Sequence, residues 1–268
     1  MTAAPVTRPV ASPLARTLRY TFANTEATLR DVAFMFFTVV LPVAMFLMFN
    51  TIYGKEGHGQ AGVGIMTNMA AYGSFGGALS AGAVLQTERA NGWLRQLTVG
   101  GLQPRGFVIA KIVTAMVVIL PAILLVFAAG LTIGGVDLTW GRVLRGVVTL
   151  WVAMLPMVVL GVVIALAVPH RAVQGASTLV LMVLSMVGGL WFPAQFFPAW
   201  LLAIAKLLPT FWIGVLGQWA TLGGWSIDGT TAHTGFPTQG VIVLGAWAVA
   251  LAVVAALRFR RATRSSKR

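Results

Sequence analysis

Seven stretches without Asp, Glu, Lys or Arg dominate this sequence, and each is at least 21 residues long. A membrane-spanning helix needs about 20 mostly apolar residues. Charged residues make up 9% of the chain, against about 25% in an average soluble domain. The pattern predicts an all-α integral membrane protein and excludes an ordinary soluble domain. The charge-free stretches are Val32–Gly54, Gly57–Thr87, Ile112–Val136, Gly146–Pro169, Ala172–Ala205, Leu207–Ile227 and Gly229–Leu257.

The basic residues predict how the chain crosses the membrane. The net charge is +13, and 15 of the 19 Lys and Arg fall in residues 1–31, 88–111 and 258–268 or at Arg171. Cytoplasmic segments of membrane proteins are enriched in Lys and Arg. Both termini are therefore expected in the cytoplasm, so the number of crossings is even and one stretch does not span. This charge pattern favours membrane topology over nucleic-acid binding.

Residues 192–222 are the stretch that we expect not to cross. Pro193, Pro198 and Pro209 interrupt any continuous helix there, and Trp residues favour the bilayer interface. We predict an outer re-entrant helical hairpin, packed against protein because backbone at membrane depth must be satisfied. A seventh span with the C-terminal tail outside is the alternative.

The resulting layout has one transmembrane domain, residues 14–257. Apolar residues near one helical face predict an amphipathic interface helix over 14–30, with a solvated linker as the alternative. A disordered cytoplasmic arm, 1–13, precedes it, and a basic cytoplasmic tail, 258–268, ends the chain. The predicted spans are about 32–53, 64–86, 107–131, 143–168, 172–190 and 238–257, with a cytoplasmic loop at 87–106.

The sequence contains no recognisable catalytic or nucleotide-binding motif. It lacks the phosphate-binding pattern G-x-x-x-x-G-K-[ST] and has no Cys, and its three His are scattered. Ion-coupled carriers usually need an ionisable group at membrane depth, whereas the six acids lie near span ends or in loops. We expect no catalytic residue, metal or cofactor in this chain, and an external energy source.

Small residues recur every fourth position in the second stretch, where Gly73 and Gly77 form a G-x-x-x-G pair. Such stripes let helices approach closely in lipid. They serve either packing within the chain or a face against a second copy or a translocation path. Polar and Met residues of the second and fifth spans, with Gly77 of the stripe, are candidates for that path: Asn68, Ser74, Gly77, Met182, Ser185 and Met186.

The cytoplasmic loop contains a compact amphipathic element, which is either a handle for a soluble partner or an interfacial linker. Its notable residues are Glu88, Arg89, Gly92, Leu94, Leu97 and Pro104. This run, E-R-x-x-G-x-L-x-x-L followed by Pro, resembles the coupling-helix pattern of type-2 ATP-binding-cassette exporter permeases. The N-terminal amphipathic helix, the six spans and the proline-interrupted segment resemble that family's layout as well.

The resemblance implies a transport subunit of the bacterial inner membrane rather than an enzyme. Two cytoplasmic ATPase subunits would bind ATP and Mg and dock on the coupling loop, 87–106, and a second copy or a similar permease would complete the path. An aromatic, charge-poor path suits amphipathic or lipid-like cargo moved outward. Two alternatives stay open: a non-transporting scaffold or immunity protein, and an ion-coupled carrier. The implied outer gate comprises Trp191, Phe192, Pro193, Phe196 and Phe197.

Overall fold

The structure, a computed structural model, describes residues 13–54, 60–90, 104–192, 194–225 and 233–265. These residues are almost entirely helical, which confirms the predicted all-α class. The helices, numbered along the chain, are α1 Pro13–Leu29, α2 Val32–Tyr53, α3 Gln60–Ala90, α4 Pro104–Thr132, α5 Trp140–Ala167, α6 His170–Val187, α7 Ala199–Ala205, α8 Pro209–Leu222 and α9 Thr238–Ser265.

Several of these helices are long and apolar enough to cross a bilayer, so the protein is a multi-pass membrane protein. Five qualify within the described residues: Val32–Tyr53, Ile109–Thr132, Trp140–Ala167, His170–Val187 and Thr238–Arg258. Two of them are irregular. α2 has a π-helical segment at Phe36–Val40, and α5 is interrupted at Met154, just before Pro156.

Helix α3 is the central element of the bundle, although it is less apolar than those five. Its 31 residues correspond to about 46 Å, longer than the hydrocarbon core of roughly 30 Å. Nearly all residues from Val63 to Leu79 are buried. Because its side chains face protein rather than lipid, α3 tolerates the Gly, Ser and Asn residues that lower its hydropathy.

The small-residue stripe of α3 contacts other helices of the same chain. A Cβ atom on Gly73 would lie 2.6 Å from the Thr38 carbonyl oxygen, and one on Gly77 would lie 3.1 Å from Ile119 Cγ2. On the far side, a Cβ on Gly161 would lie 2.8 Å from the Ala78 carbonyl oxygen. Of the two uses considered for this stripe, the structure therefore displays packing within the chain.

The segment after α6 folds into a bent pair, α7–α8, whose axes meet at 87°. Pro209 opens α8, and Gly223, with φ +80°, ends it. α8 is buried along almost its whole length, including Trp212 at 2% exposure. The prolines thus break the segment where the sequence indicates, and α8 lies among the other helices as an internal element.

Candidate coupling site

A buried lysine and a glutamate form an ion pair beside the predicted coupling loop. Lys111 is only 1% exposed, and its Nζ lies 2.8 Å from Glu88 Oε1. Lys111 also donates to Asn24 Oδ1 at 2.6 Å. A buried ammonium is stable only when it is paired and hydrogen-bonded. The Glu88 carboxylate and the Asn24 amide meet that requirement here.

Tyr20 completes this polar cluster, which comprises Tyr20, Asn24, Glu88 and Lys111. Its hydroxyl donates to Glu88 Oε2 at 2.7 Å, and its ring centroid lies 5.2 Å from Lys111 Nζ. Burial, together with the adjacent Glu88 carboxylate, raises the pKa of Tyr20 well above its usual value. The phenol therefore stays protonated and keeps donating to the carboxylate.

The polar cluster joins three helices at the two flanks of the coupling loop. α1 contributes Tyr20 and Asn24, the last turn of α3 contributes Glu88, and the second turn of α4 contributes Lys111. Of the predicted coupling residues, Arg89 lies in α3 and Pro104 begins α4, whereas Gly92, Leu94 and Leu97 lie outside the described residues. Any displacement of the loop must act on helices that this cluster holds together.

Sequence reasoning counted Lys111 as a cation of the cytoplasmic loop. The structure places it in α4, within the predicted span 107–131, and shows what the sequence did not indicate, namely that its side chain is buried in the protein. Its partner Glu88 lies 23 residues earlier, so no helical spacing in the sequence connects the two. One signal for the pair was available in the sequence: Glu88 directly follows the second charge-free stretch, and Lys111 directly precedes the third.

Another hydrogen bond shows which other segments share this end of the bundle. Gln86 Nε2 donates to the Val168 carbonyl at 3.2 Å, which brings the α5–α6 turn and its neighbour Arg171 beside the end of α3. A cavity of about 10 Å³ next to Lys111, lined in part by Ser80 and Thr114, has room for roughly one water molecule. Helix α1, the facing ends of α3 and α4, and the turn before Arg171 therefore lie together at one end of the bundle.

The predicted path residues fall into two groups. The side chains of Met182 and Met186 are 50% and 56% exposed, on a face of α6 that also carries Leu179 and Val183. Asn68, Ser74, Gly77 and Ser185 instead face other parts of the chain. Ser74 Oγ, for example, donates to carbonyl groups of its own helix. Their role in a path stays a prediction.

The predicted outer-gate residues lie at and after the end of α6. The rings of Trp191 and Tyr72 of α3 pack edge to face, with centroids 5.4 Å apart. Phe192 and Phe196 are 50% and 70% exposed, Phe197 packs against the core, and Pro193 lies outside the described residues. These aromatic residues therefore border the bent pair, and their role as a gate is likewise a prediction.

Comparison with known proteins identifies the family of this chain. The family model described as "ABC-2 type transporter" matches residues 18–218, which is three quarters of the chain and includes the whole polar cluster. A relative in Bacillus subtilis (strain 168), "Putative transport permease YvfS", is 22% identical over 211 residues, covering 78% of this chain and 86% of that protein. The chain belongs to the ABC-2 type transporter family.

Proposed function

We propose that this chain is the membrane subunit of an ATP-driven exporter and that separate cytoplasmic ATPase subunits dock on its loop 87–106. The observation that carries the proposal is the polar cluster, in which a buried ion pair connects both flanks of that loop to the interface helix α1. Because this cluster connects the three helices by hydrogen bonds, a displacement of the loop would move α3 and α4 together as a rigid body.

In this proposal both termini are cytoplasmic, six helices cross the bacterial plasma membrane, and α3 is the second of them. The bent pair α7–α8 enters from the outer side and returns to it. Asn50 Nδ2 donates to the Gly134 carbonyl at 2.9 Å, which pairs the far ends of α2 and α4 opposite the polar cluster. These two contacts support the first three crossings of this proposal, because they put the ends of α2 and α4 together at one side and the end of α3 with the start of α4 at the other.

The cargo in this proposal is amphipathic or lipid-like and moves outward along a path that two permease copies share. The apolar face of α6 with Met182 and Met186 supports this choice, because unbranched Met side chains adapt to irregular apolar surfaces. The acidic residues give less support to an ion-coupled carrier. Glu88 is paired with Lys111, and Glu26 forms an exposed pair with Arg30.

The experiment begins with the full-length chain purified from native membranes together with its bound ATPase. The complex is reconstituted into liposomes, and ATP-dependent export of a fluorescent phospholipid is measured beside ATP hydrolysis. We expect Glu88→Ala and Gly92→Pro to retain membrane insertion and hydrolysis while losing most of the export per ATP. Glu26→Ala is the matched control, since this glutamate also pairs with an arginine but lies on the exposed face of α1.

Four outcomes would overturn parts of the proposal. Transport that persists without ATP and follows an ion gradient would indicate a secondary carrier. A chain that repeatedly purifies without any ATPase would favour a scaffold. Stimulation of hydrolysis by small ions alone would contradict the lipid-like cargo, and normal coupling in both loop variants would contradict the assigned docking site.

A further inference from the structure

Asn68 occupies a position on α3 where two other elements meet. Its Nδ2 donates to the Gly189 carbonyl at 3.3 Å, and its Oδ1 accepts from Gln218 Nε2 at 3.4 Å. Gly189, with φ +77°, forms the turn that ends α6, and Gln218 belongs to α8. One buried amide, 7% exposed, therefore links the second predicted span to the fifth and to the bent pair.

The side chains around Asn68 are shaped for the same contact. Gly64, Asn68 and Tyr72 follow one another at intervals of four, so they share a face of α3. Gln218 Nε2 lies 4.0 Å from the Cβ position of Gly64, and the rings of Trp191 and Tyr72 pack edge to face. This face of α3 thus contacts both the turn after α6 and helix α8.

The facing surface of α8 is built from small and polar residues. A Cβ atom on Gly214 would lie 3.1 Å from Asn68 Oδ1, and one on Gly217 would lie within 2.5 Å of Thr67 Cγ2. The hydroxyl groups of Thr67 and Thr221 are 3.4 Å apart. These contacts recur over two turns of α8. Together they form the polar seam between α3 and α8, which comprises Thr67, Asn68, Gly214, Gly217, Gln218 and Thr221.

We propose that Asn68 is a positioning residue that holds the bent pair α7–α8 closed against α3, and that release of its two hydrogen bonds opens the outer end of the bundle. An amide at this site satisfies both a donor and an acceptor, whereas an apolar side chain of similar size satisfies neither. Rather than simply lining a path, Asn68 sets how readily the path opens. The proposal uses the orientation given under Proposed function, with the bent pair on the outer side.

The opening of the bent pair can be measured without any cargo or ATPase. The chain contains no cysteine, so a single A220C substitution in α8 provides a thiol reporter at a position with 0% exposure. The full-length protein is kept in right-side-out membrane vesicles and treated with a membrane-impermeant maleimide. The labelling rate then reports how often α8 separates from its neighbours.

We expect Asn68→Leu to raise the labelling rate about eightfold, because each hydrogen bond between membrane helices shifts an equilibrium about 2.8-fold on average and this variant loses two of them. Asn50→Leu is the matched control. It removes an amide of the same type that joins the ends of α2 and α4 and does not contact the bent pair through that bond. It should lower thermal stability comparably and leave the labelling rate unchanged.

Gln218→Met provides a second variant in case Asn68→Leu does not insert. It removes one of the two hydrogen bonds and should raise the labelling rate about threefold. Unchanged labelling in both seam variants, or an equal rise in Asn50→Leu, would overturn the role assigned to Asn68. Since no ATP is added, these results do not depend on whether the chain exports lipid with an ATPase partner. If the thiol of the otherwise unmodified reporter reacts from the inner side alone, the outer placement is wrong.

Discussion

Removing the buried ammonium of Lys111 is the sharpest perturbation that the structure offers. Lys111→Met keeps the length of the side chain but leaves the Glu88 carboxylate facing an apolar group in place of its partner at 2.8 Å. Loss of one member of a fully buried pair costs about 3–5 kcal/mol. Because the Glu88 side chain retains 18% exposure and can reach water, we expect the lower end, about 3 kcal/mol.

A double-mutant cycle separates the ion pair from simple loss of packing. Glu88→Gln and Lys111→Met are measured singly and together, with tryptophan fluorescence following unfolding by dodecyl sulfate in mixed micelles. The double variant should cost less than the sum of the single variants by about 2 kcal/mol, since neither charge is then left uncompensated. Single-variant costs that add to within about 0.5 kcal/mol would refute the ion pair as a stabilising joint.

Arg30→Met is the control that distinguishes burial from distance. The Arg30–Glu26 pair is shorter than the buried one, at 2.6 Å, but its side chains are 79% and 46% exposed. Exposed pairs contribute about 0.2–1 kcal/mol. If Arg30→Met were as costly as Lys111→Met, desolvation would not be the source of the larger effect.

Two further predictions concern single contacts. Gly73→Ala should clearly lower the thermal midpoint of unfolding, because the new Cβ would lie 2.6 Å from the Thr38 carbonyl oxygen. The new Cβ of Gly175→Ala would meet nothing within 4 Å, so this control should be neutral or slightly stabilising. Equal effects of the two substitutions would contradict the close helix contact. Tyr20→Phe should cost about 1–2 kcal/mol at neutral pH through its lost bond to Glu88. The pKa of Tyr20 is raised in the folded chain. Above a pH of about 10 the phenol therefore loses its proton in the unfolded chain but keeps it in the folded one, and the free energy of unfolding falls. In Tyr20→Phe that alkaline fall should be smaller, and an unchanged pH profile would argue against the buried phenol.

The helical class and the membrane location were predictable because both follow from runs of uncharged residues. Hydropathy alone was a weaker guide to α3. Its Gly, Ser and Asn residues lower its apolar character, and they are tolerated because the helix is surrounded by protein. α8 was difficult for the same reason: a helix buried on all sides carries no apolar face to distinguish its inside from its outside.

The pairing of functional groups was not predictable from their order in the chain. Lys111 marks the edge of an apolar stretch, and in a linear reading every such cation belongs to the adjacent loop. Its burial depends on α1, which brings Tyr20 and Asn24 to it from some 90 residues away. The sequence similarly predicts a place on a path for Asn68, which stays a prediction, but it could not indicate the hydrogen bonds of this amide with Gly189 and Gln218.

Helix α3 gives these two groups a mechanical relation. Glu88 and Asn68 lie 20 residues apart on one helix without an internal proline, which corresponds to about 30 Å along its axis. A continuous α-helix resists changes in length because each turn is hydrogen-bonded to the next. In the proposed exporter, a displacement at loop 87–106 would therefore reach the contacts of Asn68 as a movement of the whole helix. Energy released by the ATPase subunits would then act on the bent pair through α3, which has no charged residue between Asn68 and Glu88.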